Sequence, residues 1–169
     1  MTRRHVRASI VIGNLAVFAL GGCASSSSTT TASSTPSATK MSAAQIVAER
    51  QRLMKLNGAS WQDAQAKFKA GNIEGIAVNA ETMAMNAREI PKLFPEGSMT
   101  ADSKAKPEIW QKWPEFEADA KKFQALSEQL RDAAKSKNAA ATDEIMKNFG
   151  RDACGTCHTP FRVPPPARG

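Results

Sequence analysis

RDACGTCHTPFR, residues 151–162, places Cys154, Cys157 and His158 inside five positions. C-x-x-C-H is the attachment signature of a c-type haem, in which two thiols add to the porphyrin vinyl groups and the next residue's imidazole binds iron. On a helix Cys154 and Cys157 share a face, and His158 follows directly with its ring toward the metal. Other uses of the motif fit worse. A thioredoxin-type pair needs a helix N-terminus after a strand, where the dipole lowers a thiol pKa. A structural zinc site needs a fourth clustered ligand, and no second Cys or His pair exists.

Working back from the motif, four segments carry helical apolar periodicity and none alternates as a strand does. The first runs from Ser42, an N-cap candidate, to Ala70, with Ile46, Leu53, Met54, Trp61 and Phe68 on one face; Gly58 is expected to dent it and Gly71-Asn72 to end it. The second covers Ile73 to Ile90 and stops at Pro91. A long loop follows to Lys106. The third helix opens at Pro107 and carries Ile109, Trp113, Phe116, Ala120, Phe123 and Leu130, with a kink expected at Pro114. The fourth begins near Ala141-Thr142 and delivers the motif in its last turns, with Pro160 and the Pro164–Pro166 run forbidding more helix. The predicted fold is all-α, an antiparallel four-helix bundle with covalently bound haem.

The front of the chain reads differently. Arg3, Arg4 and Arg7 precede an apolar run, Ala8 to Leu20, that is too short to span a bilayer, and Leu20-Gly21-Gly22-Cys23 resembles a lipobox. Residues 1–22 are therefore expected to be a lipoprotein signal peptide. Residues 23–40 would be lipidated Cys23 followed by a disordered Ser/Thr-rich tether, residues 41–163 the bundle, and 164–169 a Pro-rich tail. The expected location is the periplasm, anchored by lipid, with Ala24 after the cysteine favouring the outer membrane.

Charge excludes one class of partner. The sequence has 23 basic and 16 acidic residues; losing the three leader arginines leaves 20 against 16, with no block of like charge. Nucleic acid is not an expected partner. With Cys23 lipidated, Cys154 and Cys157 are the remaining thiols of an exported chain, so they pair, bind metal or carry a covalent group.

Three stretches, ERQRLMKLNG (49–58), KPEIW (106–110) and RDACGTCHTPFR, resemble the class II c-type cytochromes, the cytochrome c-prime superfamily. The resemblance covers about Ala43 to Arg162 and is closest to the low-spin, Met/His-ligated branch. It implies one covalent haem c. His5 leaves with the leader and Thr159 to Gly169 holds no Met or His, so the sixth iron position is open to a Met, another weak ligand or nothing. Candidates are Met41, Met54, Met83, Met85, Met99 and Met146. Met146 lies twelve residues before His158, ~18 Å along one helix axis, and cannot reach over the haem.

In the resembled family the residue over the open haem face stands four positions after an Arg of the first helix, which here is Met54 after Arg50. The same resemblance gives Arg50 a haem propionate as partner, with Gln51 as a weaker neighbour. The metal ligands implied are thus His158 and Met54. A one-electron carrier, not an enzyme, is the expected function, with unknown redox-protein partners and a possible homodimer. The rival reading is a five-coordinate cytochrome that binds nitric oxide or carbon monoxide.

Overall fold

The computed structural model describes residues 40–165; the predicted leader, Cys23 and the tether up to residue 39 lie outside them, as do residues 166–169 of the tail. Helix α1, Ala43–Lys69, starts on a capping box. Ser42 Oγ accepts from the Gln45 N–H at 3.3 Å, and Gln45 Oε1 accepts from the Ser42 N–H at 2.8 Å, so two orphan donors of the first turn are satisfied. The helix passes Gly58 without a break.

Helix α2 is Ile76–Glu89, three residues shorter at its start than the periodicity predicts. Gly71 takes a left-handed φ of 73°, and the Asn72 side chain accepts from the Gly75 N–H at 3.0 Å. That turn uses the residues through Gly75, and a Cβ on Gly75 would sit 2.5 Å from the Asn72 side chain. Ile73 therefore sits in the turn ahead of the helix.

The third predicted helix is two elements, α3 (Glu108–Gln111) and α4 (Trp113–Lys135). Lys112, at φ −119° and ψ 41°, breaks them apart. Pro114 does not kink a continuous helix as expected, but occupies the first turn of α4, where its missing N–H has no helical partner to lose.

The last helix also differs from the predicted one. Asn138 caps α5 (Ala139–Phe149), accepting from the Ala141 N–H at 3.0 Å. Gly150–Gly155 then winds as a π-helix, and α6 (Thr156–Phe161) includes Pro160, which the sequence reading places beyond the helix. Pro160 is tolerated there because the carbonyl it leaves unbonded falls in the final turn.

The long helices α1, α2, α4 and α5–α6 make a four-helix bundle, α2 packing along α4, α1 on α2 and α5 on α4. Its core joins Ala64, Ile76, Ala80, Met83, Leu130 and Phe149, all close to full burial. Trp61 stacks on Phe149 with ring centroids 4.7 Å apart, and Phe123 meets the same ring edge-on at 6.1 Å. At the other end the segment before α3 is stitched to the residues after α6: Lys106 N–H donates to Phe161 O at 2.9 Å and Val163 N–H to Lys104 O at 2.8 Å, around an antiparallel bridge between Ala105 and Arg162.

Candidate functional site

Arg50 is the oddest residue in the bundle. It sits on the inner stripe of α1, only 6% exposed, and no carboxylate answers it. Its Nε donates to the Leu93 carbonyl and its Nη2 to Ser98 Oγ, while Ser98 in turn donates to Pro95 O. The guanidinium lies over the Phe94 ring at 3.9 Å. Burial pulls its pKa down to about 10, still far above neutrality, so the charge persists. Nη1 is buried without a partner. A donor left this way costs about 1–3 kcal/mol or more unless something accepts from it.

That donor belongs to a residue on the wall of a cavity of about 590 Å³ between the helices, a volume within the usual range of ligand and cofactor sites. Its walls are mostly apolar, with Val47, Trp61, Ile90, Phe94, Phe116, Phe123 and Phe161 among them. Cys154, Cys157 and His158 line the same space. The π-turn matters here: one extra residue per turn rotates the later residues by about 100° relative to an α-helix, so Cys154 inside the turn and Cys157 just after it both face the cavity.

Neither thiol is in a disulfide. Burial raises the pKa of Cys154, and burial first and the Asp119 charge second push Cys157 up to about 12. Both stay protonated, which slows their oxidation to each other. Burial of its ring, with a smaller effect from the Arg162 cation, lowers the pKa of His158 and favours the neutral imidazole that binds metals. The residue keeps an exposed side, so its place on the cavity wall carries more weight than that shift.

Of the six candidate methionines, two reach the cavity, Met54 from α1 and Met83 from α2. Met41, Met85 and Met99 are exposed, and Met146 packs against the core away from the cavity wall. Met83 is 1% exposed and fixed in the core, whereas Met54 is half-buried. Gln51 also lines the cavity, on its exposed edge, with Nε2 donating to Asp102 O at 3.2 Å. All the predicted site residues within the described range therefore meet at one place. Cys23 lies outside that range.

Sequence reasoning missed several neighbours. Ser98, Leu93 and Phe94, which hold Arg50, come from the loop after α2, more than 40 residues away in sequence. Asn57 is buried on the cavity wall, accepts from Asn86 Nδ2 at 2.7 Å and leaves its own Nδ2 unpaired. The signal for Asn57 was present, a polar residue one turn from Leu53 on a buried stripe.

Haem fits these residues by the chemistry of the donors: two free thiols, a neutral imidazole, a thioether and a buried guanidinium nitrogen lacking an anion. A bundle with so large an internal space would be poorly packed without a group to fill it, and CGTCH on the wall identifies that group, which makes the fold that of a helical-bundle c-type cytochrome. The family model described as Cytochrome C' matches residues 45–162, and the chain belongs to that family. One covalent haem c is its cofactor.

Cytochrome c-556 from Agrobacterium fabrum is 35% identical over 125 residues, 72% of this chain and 83% of that protein. Cytochrome c' from Pararhodospirillum photometricum is 32% identical over 120 residues, 69% of this chain and 94% of that one. Among solved structures, a cytochrome c' described as having an unusual ligand-controlled dimer dissociation superposes with a TM-score of 0.67 at 22% identity, covering 73% of this chain and 98% of its own.

Proposed function

We propose that the protein is a periplasm-facing one-electron carrier with haem iron bound by His158 and Met54. Bound haem c supplies the one-electron couple that no side chain here provides. Cys154 and Cys157 would hold it by thioether bonds. Arg50 Nη1 would meet a propionate, with Gln51 beside it at the rim. The apolar walls exclude water and hold the group rigidly. The protein catalyses no reaction alone in this reading.

The observation that carries the proposal is the pairing of Met54 with Arg50. The two stand one helical turn apart on α1, and both line the cavity that holds the motif. Met83 is the competing thioether, but its side chain is already consumed by core packing. Comparing Met54→Ala with Met83→Ala in the ferric holoprotein tests the assignment. Met54→Ala should turn a low-spin spectrum high-spin, lower the reduction potential and admit carbon monoxide, while Met83→Ala should lose stability, by about 2–5 kcal/mol, and keep its spin state. The reverse pattern would move the ligand to Met83.

A gas-binding reading is favoured by the apolar pocket and by the relatives named cytochrome c', one of them with ligand-controlled dimer dissociation. In that reading Met54 only packs, and the wild-type protein binds carbon monoxide or nitric oxide. A homodimer of this chain is part of the proposal on the same likeness.

We further propose, from composition, that residues 1–22 are a cleaved lipoprotein leader, with Cys23 lipidated, a tether to residue 40, the bundle at 41–163 and a tail at 164–169. Among the described residues no helix is long and apolar enough to cross a membrane. Wild-type protein should fractionate with the outer membrane, and Cys23→Ser should release it. Soluble wild-type protein with its leader cut elsewhere would end this part of the proposal.

A further inference from the structure

Apart from His158, every ionisable side chain that can carry charge at neutral pH on the cavity wall is a cation. Arg50, Lys55, Lys104 and Arg162 line the cavity, and no Asp or Glu does. Elsewhere on the surface cations are commonly paired, as in Arg52–Glu49, Arg88–Glu128, Lys92–Glu89 and Arg131–Glu81. Among the described residues none of the four cavity cations makes an ion pair. Asp102 shares a small side pocket with Lys104, yet it pairs with no cation.

Haem's two propionates do not exhaust this charge. Arg50, the buried cation, is set to meet one, so at least two of the three outer cations remain over. Their positions are fixed by backbone: Lys55 projects from α1, while Lys104 and Arg162 flank the paired segments that join residues 104–106 to 161–163. Val163, 45% exposed beside Arg162, adds apolar surface to the rim. Like charges held around one opening make a positive field that attracts and orients anionic surfaces.

We infer that Lys55, Lys104 and Arg162 form the docking surface for an acidic one-electron protein, with the haem edge as the exchange point. The inference rests on the carrier reading. One electron passes between ferrous haem and the oxidised partner, or from the reduced partner to ferric haem; no bond forms or breaks, and no proton is needed. An anionic bilayer fits less well, because lipid headgroups are recognised by runs of about four to eight basic residues beside a span or on an amphipathic helix. Here three cations from three separate elements surround a concavity.

The test is stopped-flow electron exchange of the holoprotein over a range of ionic strength, with acidic flavodoxin semiquinone as the protein probe. Hexacyanoferrate(III) and tris(phenanthroline)cobalt(III) serve as anionic and cationic small oxidants. The wild-type rate with flavodoxin and with hexacyanoferrate should fall as salt rises, and the rate with the cobalt complex should rise. Lys55→Glu/Lys104→Glu should cost about tenfold against flavodoxin at low salt and flatten the salt dependence. Lys55→Gln/Lys104→Gln should fall between, with unchanged haem spectrum and helicity. Brisk exchange with every probe but no charge dependence overturns the docking surface alone. Slow exchange with both small ions overturns the carrier reading and the docking surface with it. Binding to phosphatidylglycerol vesicles through the same lysines, without salt-dependent exchange with flavodoxin, assigns the rim to a membrane and overturns the proposal.

Discussion

Arg50 shows how much one side chain can say. A guanidinium on a buried helix stripe is costly to desolvate, so its presence implies an anion or a set of acceptors. Two acceptors are visible, Leu93 O and Ser98 Oγ, and Nη1 waits for a third. Ser98→Ala should therefore destabilise the holoprotein by about 1–3 kcal/mol in urea titration, because it strands a buried N–H that has no water to replace the hydroxyl. A smaller loss would mean that water reaches Nη2. Arg50→Lys keeps the charge but loses the planar fork, so it should destabilise as well and should also shift the reduction potential. The anomaly of Arg50 was legible in the sequence. Its acceptors were not, because a loop chosen by tertiary packing supplies them and no local pattern encodes which carbonyl turns inward.

Helices were legible where caps and stripes agree, and illegible where the backbone leaves the α pattern. The Ser42 box was readable, and Ser42→Ala should cost ~1 kcal/mol of stability by thermal or chemical melting. The Asn72 turn before α2, the break at Lys112 and the π-turn at Gly150–Gly155 were not, since periodicity of apolar residues barely changes when one residue is added or a turn slips. The π-turn has a sharp consequence. Deleting Gly150 should restore α winding and rotate the motif by about 100°, so covalent haem incorporation should fail while helicity persists, as haem staining and circular dichroism would register.

Between α1 and α2, Asp63 accepts from Lys67 and from Asn79, and these hydrogen bonds hold its carboxyl below the ordinary carboxylate pKa. A depressed folded pKa stabilises above the unfolded value and loses that contribution as pH falls through the folded one. The melting-temperature gap between wild type and Asp63→Asn should accordingly be widest near neutrality and close in acid. A gap unchanged across that range would show that the contact is not ionic.

At the scale of the molecule the cavity dominates. Four helices enclose about 590 Å³ that their own side chains do not fill, so haem acts as core as well as cofactor. Haem-free protein should melt well below the holoprotein and with lower cooperativity. Cys154→Ser/Cys157→Ser should lose covalent haem on acid–acetone extraction; retention would refute thioether attachment. The bundle and the haem-bearing end of its last helix were legible because four apolar stripes and one compact motif encode them. The cationic rim was not, because it assembles from α1, the segment before α3 and the residues past α6 only once the chain has folded.

The central claim is that Met54 opposes His158 as an iron ligand, and the visible and near-infrared spectrum of the purified ferric wild-type protein tests it most directly. The expected result is a low-spin spectrum with a thioether-to-iron charge-transfer band in the near infrared. A high-spin ferric spectrum without that band, joined to rapid carbon monoxide binding by the ferrous form, would contradict it and leave Met54 as a packing residue beside an open iron site.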